Sequence, residues 1–166
     1  MLNKTAATGA VLQMLSHGLM TALFFALIGM IYVRTKTRLI TEMSGLMKVL
    51  PFLSVCYVIG GLASLGLPGL SGFVAEMTIF VGAFQHEDWF HRVATVVAVS
   101  SIVVTAVYIL RVVGKILMGP VQNENYNKLS SAQWFEKIAT ITLIIGILII
   151  GLMPLWLSEM IADSLE

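Results

Sequence analysis

Charge is what this chain has least of. Only 11% of its 166 residues are charged, against 58% hydrophobic, where a soluble domain carries roughly a quarter charged residues. There is too little charge to coat a water-facing surface. Ten Lys and Arg nearly cancel nine Asp and Glu for a net charge of +1, so no long-range field draws a polyanion. No basic arm, RNP-like motif or zinc-ligand spacing appears either, and nucleic-acid binding is set aside. The single cysteine, Cys56, excludes an internal disulfide and a cysteine ligand set; in its apolar run it reads as a small core residue. A secretory signal peptide is also missing. Lys4 gives a weak basic start, but the apolar stretch Thr5–Val33 far outruns the roughly 7–15 residues of such a core.

What is present is a set of long uncharged runs. Thr5–Val33 lies between Lys4 and Arg34, and Val49–Gln85 contains one charge, Glu76. Val93–Leu110 leads into Arg111 and Lys115, and Ile138–Ser158 is followed by Glu159, Asp163 and Glu166. Each can cross a hydrocarbon core of about 30 Å at about 1.5 Å per residue. The expected fold is therefore all-α and polytopic, a single membrane region over 1–166 with four spanning elements at about 5–33, 49–85, 93–115 and 138–158.

The second run is too long for one straight helix, and it contains Gly66-Leu67-Pro68-Gly69-Leu70-Ser71-Gly72. Proline lacks an N–H and clashes with the preceding turn, while glycines permit irregular backbone. It reads either as a hairpin of two spans or as one span broken near 66–72. Lys and Arg favour the cytoplasmic side of short loops. One broken span puts Arg34, Lys36, Arg38, Lys48, Arg111, Lys115, Lys128 and Lys137 on one side and Lys4 and Arg92 on the other, eight against two. A hairpin gives five against five. The broken span is preferred, and both termini then face outward. The two pieces exceed one crossing, so part of the element tilts or overhangs.

Irregular backbone at membrane depth is tolerated only where it is buried in protein or lines a wet cavity, and transporters use such breaks at ion sites. Glu76 lies four residues beyond Gly72, near the start of the second half-helix, where the N-terminal dipole suits a carboxylate. A mid-membrane carboxylate costs roughly 2.5–3.5 kcal/mol on insertion scales, so Glu76 is the first candidate for a proton or ion path. Its proton occupancy would respond to a moving neighbour. Purely structural pairing is the bland alternative. His17 shares a helical stripe with Gln13, Ser16 and Thr21, with Gly9 in line, a face expected to meet other helices. It reads as a packing residue or as a relay group able to give and accept a proton. A third stripe, Ser101, Thr105, Tyr108, Arg111 and Lys115, could line a water chain; equally, its basic pair could simply snorkel to the interface. His86 and His91 share a short outward loop with Glu87, Asp88 and Trp89. A solvated loop with an interfacial Trp is the preferred reading there, and no metal site is assigned. The last run, with little polarity beyond Thr140 and Thr142 and with Pro154 near its end, reads as a peripheral helix.

Two segments carry a family resemblance. Gly9-Ala10-Val11-Leu12-Gln13-Met14-Leu15-Ser16-His17-Gly18 and Ser64-Leu65-Gly66-Leu67-Pro68-Gly69-Leu70-Ser71-Gly72-Phe73-Val74-Ala75-Glu76 closely resemble the M-type (chain 4) antiporter-like subunits of proton-pumping NADH:quinone oxidoreductase, respiratory complex I. Tyr108, Arg111 and Gly119 resemble the family's next helix, and the match covers nearly the whole chain. That family has fourteen helices with two inverted repeats, each holding a broken helix. The present chain is similar to the eleventh to fourteenth of these, its C-terminal portion only. Related subunits, among them the L type and those of the multi-subunit cation/proton antiporters, tend to carry Lys at the position of Glu76, so Glu favours the M type.

The resemblance implies that Glu76 is the terminal protonatable group of a central polar axis and that His17 lies on it. Pro68, Gly69 and Gly72 form the helix break, while Gln13, Ser16, Thr21, Ser101, Thr105, Tyr108 and Lys115 are possible channel-lining groups. It implies a bacterial cytoplasmic membrane, and partners among the other complex I membrane subunits, including neighbouring antiporter-like ones. Electron transfer from NADH through FMN and iron–sulfur clusters to quinone would belong to other subunits, since this chain has no GxGxxG loop and no cysteine set. With the family's first ten helices unmatched, the chain reads as a fragment that would not pump alone, or as a genuine four-helix protein. The alternative functions are a cation/proton antiporter subunit without electron transfer, or a structural membrane segment that scaffolds a complex.

Overall fold

In the computed structural model, which describes residues 3–121 and 123–165, most of the chain is helical. Helix α1 spans Lys4–Thr35, α2 Leu46–Val49, α3 Pro51–Ser64, α4 Ser71–Phe84 and α5 Trp89–Leu117. A 3₁₀ turn at Glu124–Lys128 precedes α6, Trp134–Leu152, and α7, Leu155–Ser164. The protein is an all-α polytopic membrane protein. Helices α1, α5 and α6 are long and apolar enough to cross a membrane unaided. At 32 residues α1 is about 48 Å long, well beyond the hydrocarbon thickness.

The second run is one element in two halves. Helices α3 and α4 have 14 residues each, about 21 Å apiece, so neither crosses alone. Between them Gly66 (φ 63°) and Gly69 (φ 94°) take left-handed backbone on either side of Pro68, conformations in which an L side chain is strained. The element starts differently from the uninterrupted run expected from Val49. Pro51 opens α3, and the residue before it, Leu50, leaves the helical region (φ −125°, ψ 61°), detaching α2.

Contacts at one end confirm the choice of a broken span over a hairpin. The loop after α1 and the loop after α5 touch directly: Gly45 N–H donates to Met118 O at 3.2 Å, Ser44 Oγ to Pro120 O at 2.9 Å and Tyr126 Oη to Glu42 O at 3.3 Å. A hairpin would have put these basic loops on opposite sides.

Packing around α1 holds the bundle together. Its lower half meets α4 with almost no side-chain spacer, since a Cβ on Gly9 would lie 2.7 Å from Ile79 N and one on Gly82 would strike the backbone of Ala6. Small residues permit such close approach, which drives helix association where lipid offers no hydrophobic advantage. Asn3 fixes the same end, accepting from Ala6 N–H at 2.8 Å and donating to Gly82 O at 2.7 Å. The upper half carries Leu23, Leu27 and Ile31 into a core with Leu53, Cys56 and Tyr57 of α3, Val113 and Ile116 of α5, and Ile144 and Ile147 of α6. Cys56 is the buried core residue expected.

Helix α6 departs from its sequence reading twice. The run read as continuous over 138–158 stops at Leu152, because Pro154 forces Met153 out of the helical region (φ −128°, ψ 58°), and α7 restarts at Leu155. Nor is α6 merely peripheral. Thr140, Ile144, Ile147 and Ile150 are buried, and the backbone at Gly151 abuts the Gly69–Leu70 backbone of the break. Helix α5 is the one left bare, with most of its valines exposed.

Candidate functional site

The break positions Glu76 by geometry that begins at Gly72. A Cβ on Gly72 would lie 2.6 Å from Ala63 O and 3.6 Å from the Gly66 Cα, so only a glycine lets α4 lie this close to the end of α3. One turn further on the same face, Glu76 reaches back over the break. Its Oε2 lies 2.5 Å from where a Gly66 Cβ would project. The side chain is half-buried, and among the described residues its carboxylate has no hydrogen-bond or ion-pair partner. A carboxylate without a fixed cation can take or release a proton without first breaking a salt bridge, which suits a transfer group better than a structural pair.

The rest of the expected stripe on α1 divides. Ser16 and Gly9 are buried against α4, and Ser16 Oγ lies 2.7 Å from Ser71 Oγ, at the first residue of α4. Gln13 and Thr21 are half-buried, and Gln13 Oε1 is fully shielded without a partner. His17, one residue past Ser16, is rotated about 100° away and stands exposed, with no hydrogen bond among the described residues. The structure therefore does not bring His17 to Glu76. Ser71 was not singled out in the sequence; the only signal there was a hydroxyl inside the Gly66–Gly72 cluster.

On α5 the polar stripe faces out of the chain. Ser101, Tyr108, Arg111 and Lys115 are exposed and Thr105 is half-buried. The Ser101 and Thr105 hydroxyls bond their own helix, to Ala98 O at 2.6 Å and Ser101 O at 3.3 Å. Tyr108 also borders a cavity of about 170 Å³ with Phe24, Tyr57, Ile109, Val112 and Val113.

The loop between α4 and α5 is organised around Asp88, the N-cap of α5. Its carboxylate accepts from Phe90 N–H at 3.3 Å and pairs with His91 Nδ1 at 2.8 Å. The hydrogen bond from His91, then that from Phe90 N–H, holds the carboxyl below its ordinary range. The His91 ring stacks on His86 at 4.6 Å, and Arg92 Nε donates to His86 O at 3.0 Å. Among the described residues no group of three His, Cys, Asp or Glu stands close enough to hold a metal.

At the opposite end Arg34, which the sequence offered only as a span boundary, uses all five of its N–H donors. Nε donates to Ser130 O at 2.8 Å, Nη1 to Met30 O at 2.9 Å and Glu136 Oε1 at 3.1 Å, and Nη2 to Ser131 O at 3.1 Å and Glu136 Oε2 at 2.5 Å. Glu136 also closes a capping box with Gln133 at the start of α6. This knot ties the end of α1 to the beginning of α6.

Residues 1–105 match the family model of the transmembrane NADH:quinone oxidoreductase/Mrp antiporter proteins. The chain belongs to this family. Over 154 residues, 92% of its length, it is 36% identical to NAD(P)H-quinone oxidoreductase chain 4 1 of Synechococcus elongatus, covering 29% of that protein. It is 32% identical to NADH-quinone oxidoreductase subunit M of Rickettsia conorii over 163 residues, 98% of this chain and 32% of that one. This family member thus spans about a third of the length of the curated relatives it matches. Among solved structures, a chain of respiratory complex I from Thermus thermophilus with bound NADH superposes with a TM-score of 0.82 at 26% identity, over 98% of this chain and 35% of that one. A chain of the Mrp complex from Dietzia sp. superposes at 0.83 over 98% of this chain and 38% of that one; at 18% identity the likeness is one of fold.

Proposed function

We propose that the chain forms part of an antiporter-like subunit in the membrane arm of an NADH:quinone oxidoreductase and contributes part of a proton-translocation channel. Glu76 is its protonatable group. The observation that carries this reading is the carboxylate itself, half-buried against a break in a membrane helix with no ion-pair partner among the described residues. Such a group holds or releases a proton according to what approaches it. The similarity to chain 4 and subunit M proteins supplies the rest. Electron transfer from NADH through FMN and iron–sulfur clusters to quinone resides in other subunits, and the energy it releases is coupled to this channel.

In this reading the crossings lie at about 5–33, 49–85, 93–115 and 138–158, in a bacterial cytoplasmic membrane with both termini outward. The basic loops after α1 and α5 then face the cytoplasm, as the bias of Lys and Arg favours. Pro68, Gly69 and Gly72 keep the break open. The outward-facing stripe of Ser101, Thr105, Tyr108 and Lys115, with the exposed His17, meets other parts of the membrane arm, where a neighbouring antiporter-like subunit and further helices complete a polar axis. Gln13, Ser16 and Thr21 line the α1 side of that axis.

The test is Glu76→Gln in the assembled complex in native membranes. Proton translocation per electron should fall, while NADH oxidation by an artificial acceptor stays largely intact. Undiminished translocation would remove Glu76 from the mechanism.

A further inference from the structure

Among the described residues no donor fixes the Glu76 carboxylate, and the space it occupies is left by the missing side chain of Gly66. A Cβ on Gly66 would sit 2.5 Å from Glu76 Oε2, 3.2 Å from its carboxyl carbon and 3.6 Å from Oε1. Comfortable heavy-atom contacts lie at about 3.5–4.0 Å, so a Cβ at position 66 forces the Glu76 carboxyl end to move by about 1 Å. The two residues belong to different half-helices. Gly66 follows α3 by two positions, and Glu76 lies in the second turn of α4. The close approach of Gly72 to Ala63 O brings them together and leaves little room for the whole half-helix to withdraw.

Two demands meet at Gly66. Its backbone is left-handed, at φ 63°, which glycine adopts without strain and asparagine tolerates. That demand alone would accept Asn. The second demand, space for the carboxylate where it now lies, is met by hydrogen alone; a Cβ there displaces the carboxylate.

We infer that Gly66 is a positioning residue for Glu76, the seat that keeps the carboxylate folded back over the helix break. The inference rests on the proposed role of Glu76 in proton translocation and assigns to a second residue the control of where that proton is held. Any side chain at 66 swings the carboxylate off the break, so the proton is taken and released from a different place. The effect is transmitted wholly through Glu76.

Gly66→Ala and Gly66→Asn in the assembled complex test this, with Gly119→Ala as control. Gly119 has an equally positive φ of 94° but lies in the loop after α5, where an added Cβ meets only Ser44 Oγ, at 3.2 Å. Translocation per electron, scored per assembled complex, should fall in G66A and G66N to the level of E76Q, and its pH profile should move, while G119A keeps the wild-type ratio and profile. G66N covers the case in which alanine fails to assemble because of backbone strain. In an E76Q background, G66A should cause no further loss. Wild-type translocation in G66A or G66N beside a damaged E76Q overturns the inference alone, as does an equal further loss on adding G66A to E76Q. A silent E76Q overturns the reading of Glu76 and the inference with it.

Discussion

Removing the Arg34 guanidinium should release the loop that joins α5 to α6. Arg34 and Glu136 side chains are only 5% and 14% exposed, so water replaces only part of what each loses. In Arg34→Ala the Glu136 carboxylate keeps only the Gln133 N–H, at 2.7 Å, and the carbonyls of Ser130 and Ser131 lose their donor. Breaking a buried pair from one side costs about 3–5 kcal/mol, because a charge is left unpaired. Arg34→Lys retains the charge but not the fork, and one ammonium cannot reach Ser130, Ser131 and both carboxylate oxygens together. At about 1.5–3 kcal/mol for a hydrogen bond to a charged group, the lysine variant should fall between wild type and alanine. The assay is limited proteolysis of native membranes, scoring cleavage within 118–133. When opening is fast relative to cleavage, the rate follows the open population, and each 1.4 kcal/mol is about tenfold. R34A should then speed cleavage by at most about two to three and a half decades, most of it around Ser130 and Ser131, since Ser44–Pro120 and Tyr126–Glu42 still hold the earlier part of the loop. Cleavage within threefold of wild type would refute the assignment of Arg34 as the lock.

The Ser16–Ser71 pair makes a different kind of prediction. Ser16→Ala or Ser71→Ala strands a buried hydroxyl and should cost about 1–3 kcal/mol of heat stability, whereas the double alanine should cost no more than either single change; additive losses would mean that the two hydroxyls do not depend on each other. Asp88 carries a pH signature. Its folded carboxyl is held below the ordinary range by His91 and Phe90 N–H, so its contribution to the start of α5 is complete above the unfolded carboxylate value and is lost as the pH falls through the lower folded one. Amide exchange at Phe90 and Arg92, corrected for intrinsic rates, should rise only under that acid condition, and Asp88→Ala should remove the dependence; an unchanged pH response in D88A would exclude Asp88 as its source.

The legible part of this protein was written in local chemistry. Long uncharged runs and the Gly-Pro-Gly cluster depend on residues near one another in the chain, and the structure has the helices and the interruption where that chemistry puts them. Local rules also failed twice for local reasons, at Leu50 and Met153, where a following proline detaches one short helix and ends another. The candidate site was legible as a list. Glu76 and the break stood out because a charge and irregular backbone are both costly at membrane depth. Which groups meet was not legible: His17 and Ser16 are adjacent in sequence, yet Ser16 is buried against α4 and His17 faces away.

The sequence alone determined that this is a helical membrane protein and that a single carboxylate lies beside a break, because hydropathy and backbone preference are properties of a short stretch. Its basic residues also separated the broken span from the hairpin, since charge sorts loops by side without reference to packing. Only the tertiary structure decided that Glu76 folds over Gly66, that Ser16 bonds Ser71 55 residues away, and that Arg34 is locked to Glu136 across 102 residues. Ser16–Ser71 and Arg34–Glu136 join segments far apart in the chain, and Glu76 folds over Gly66 only because Gly72 lets two half-helices approach; none of these meetings is a local preference of one residue.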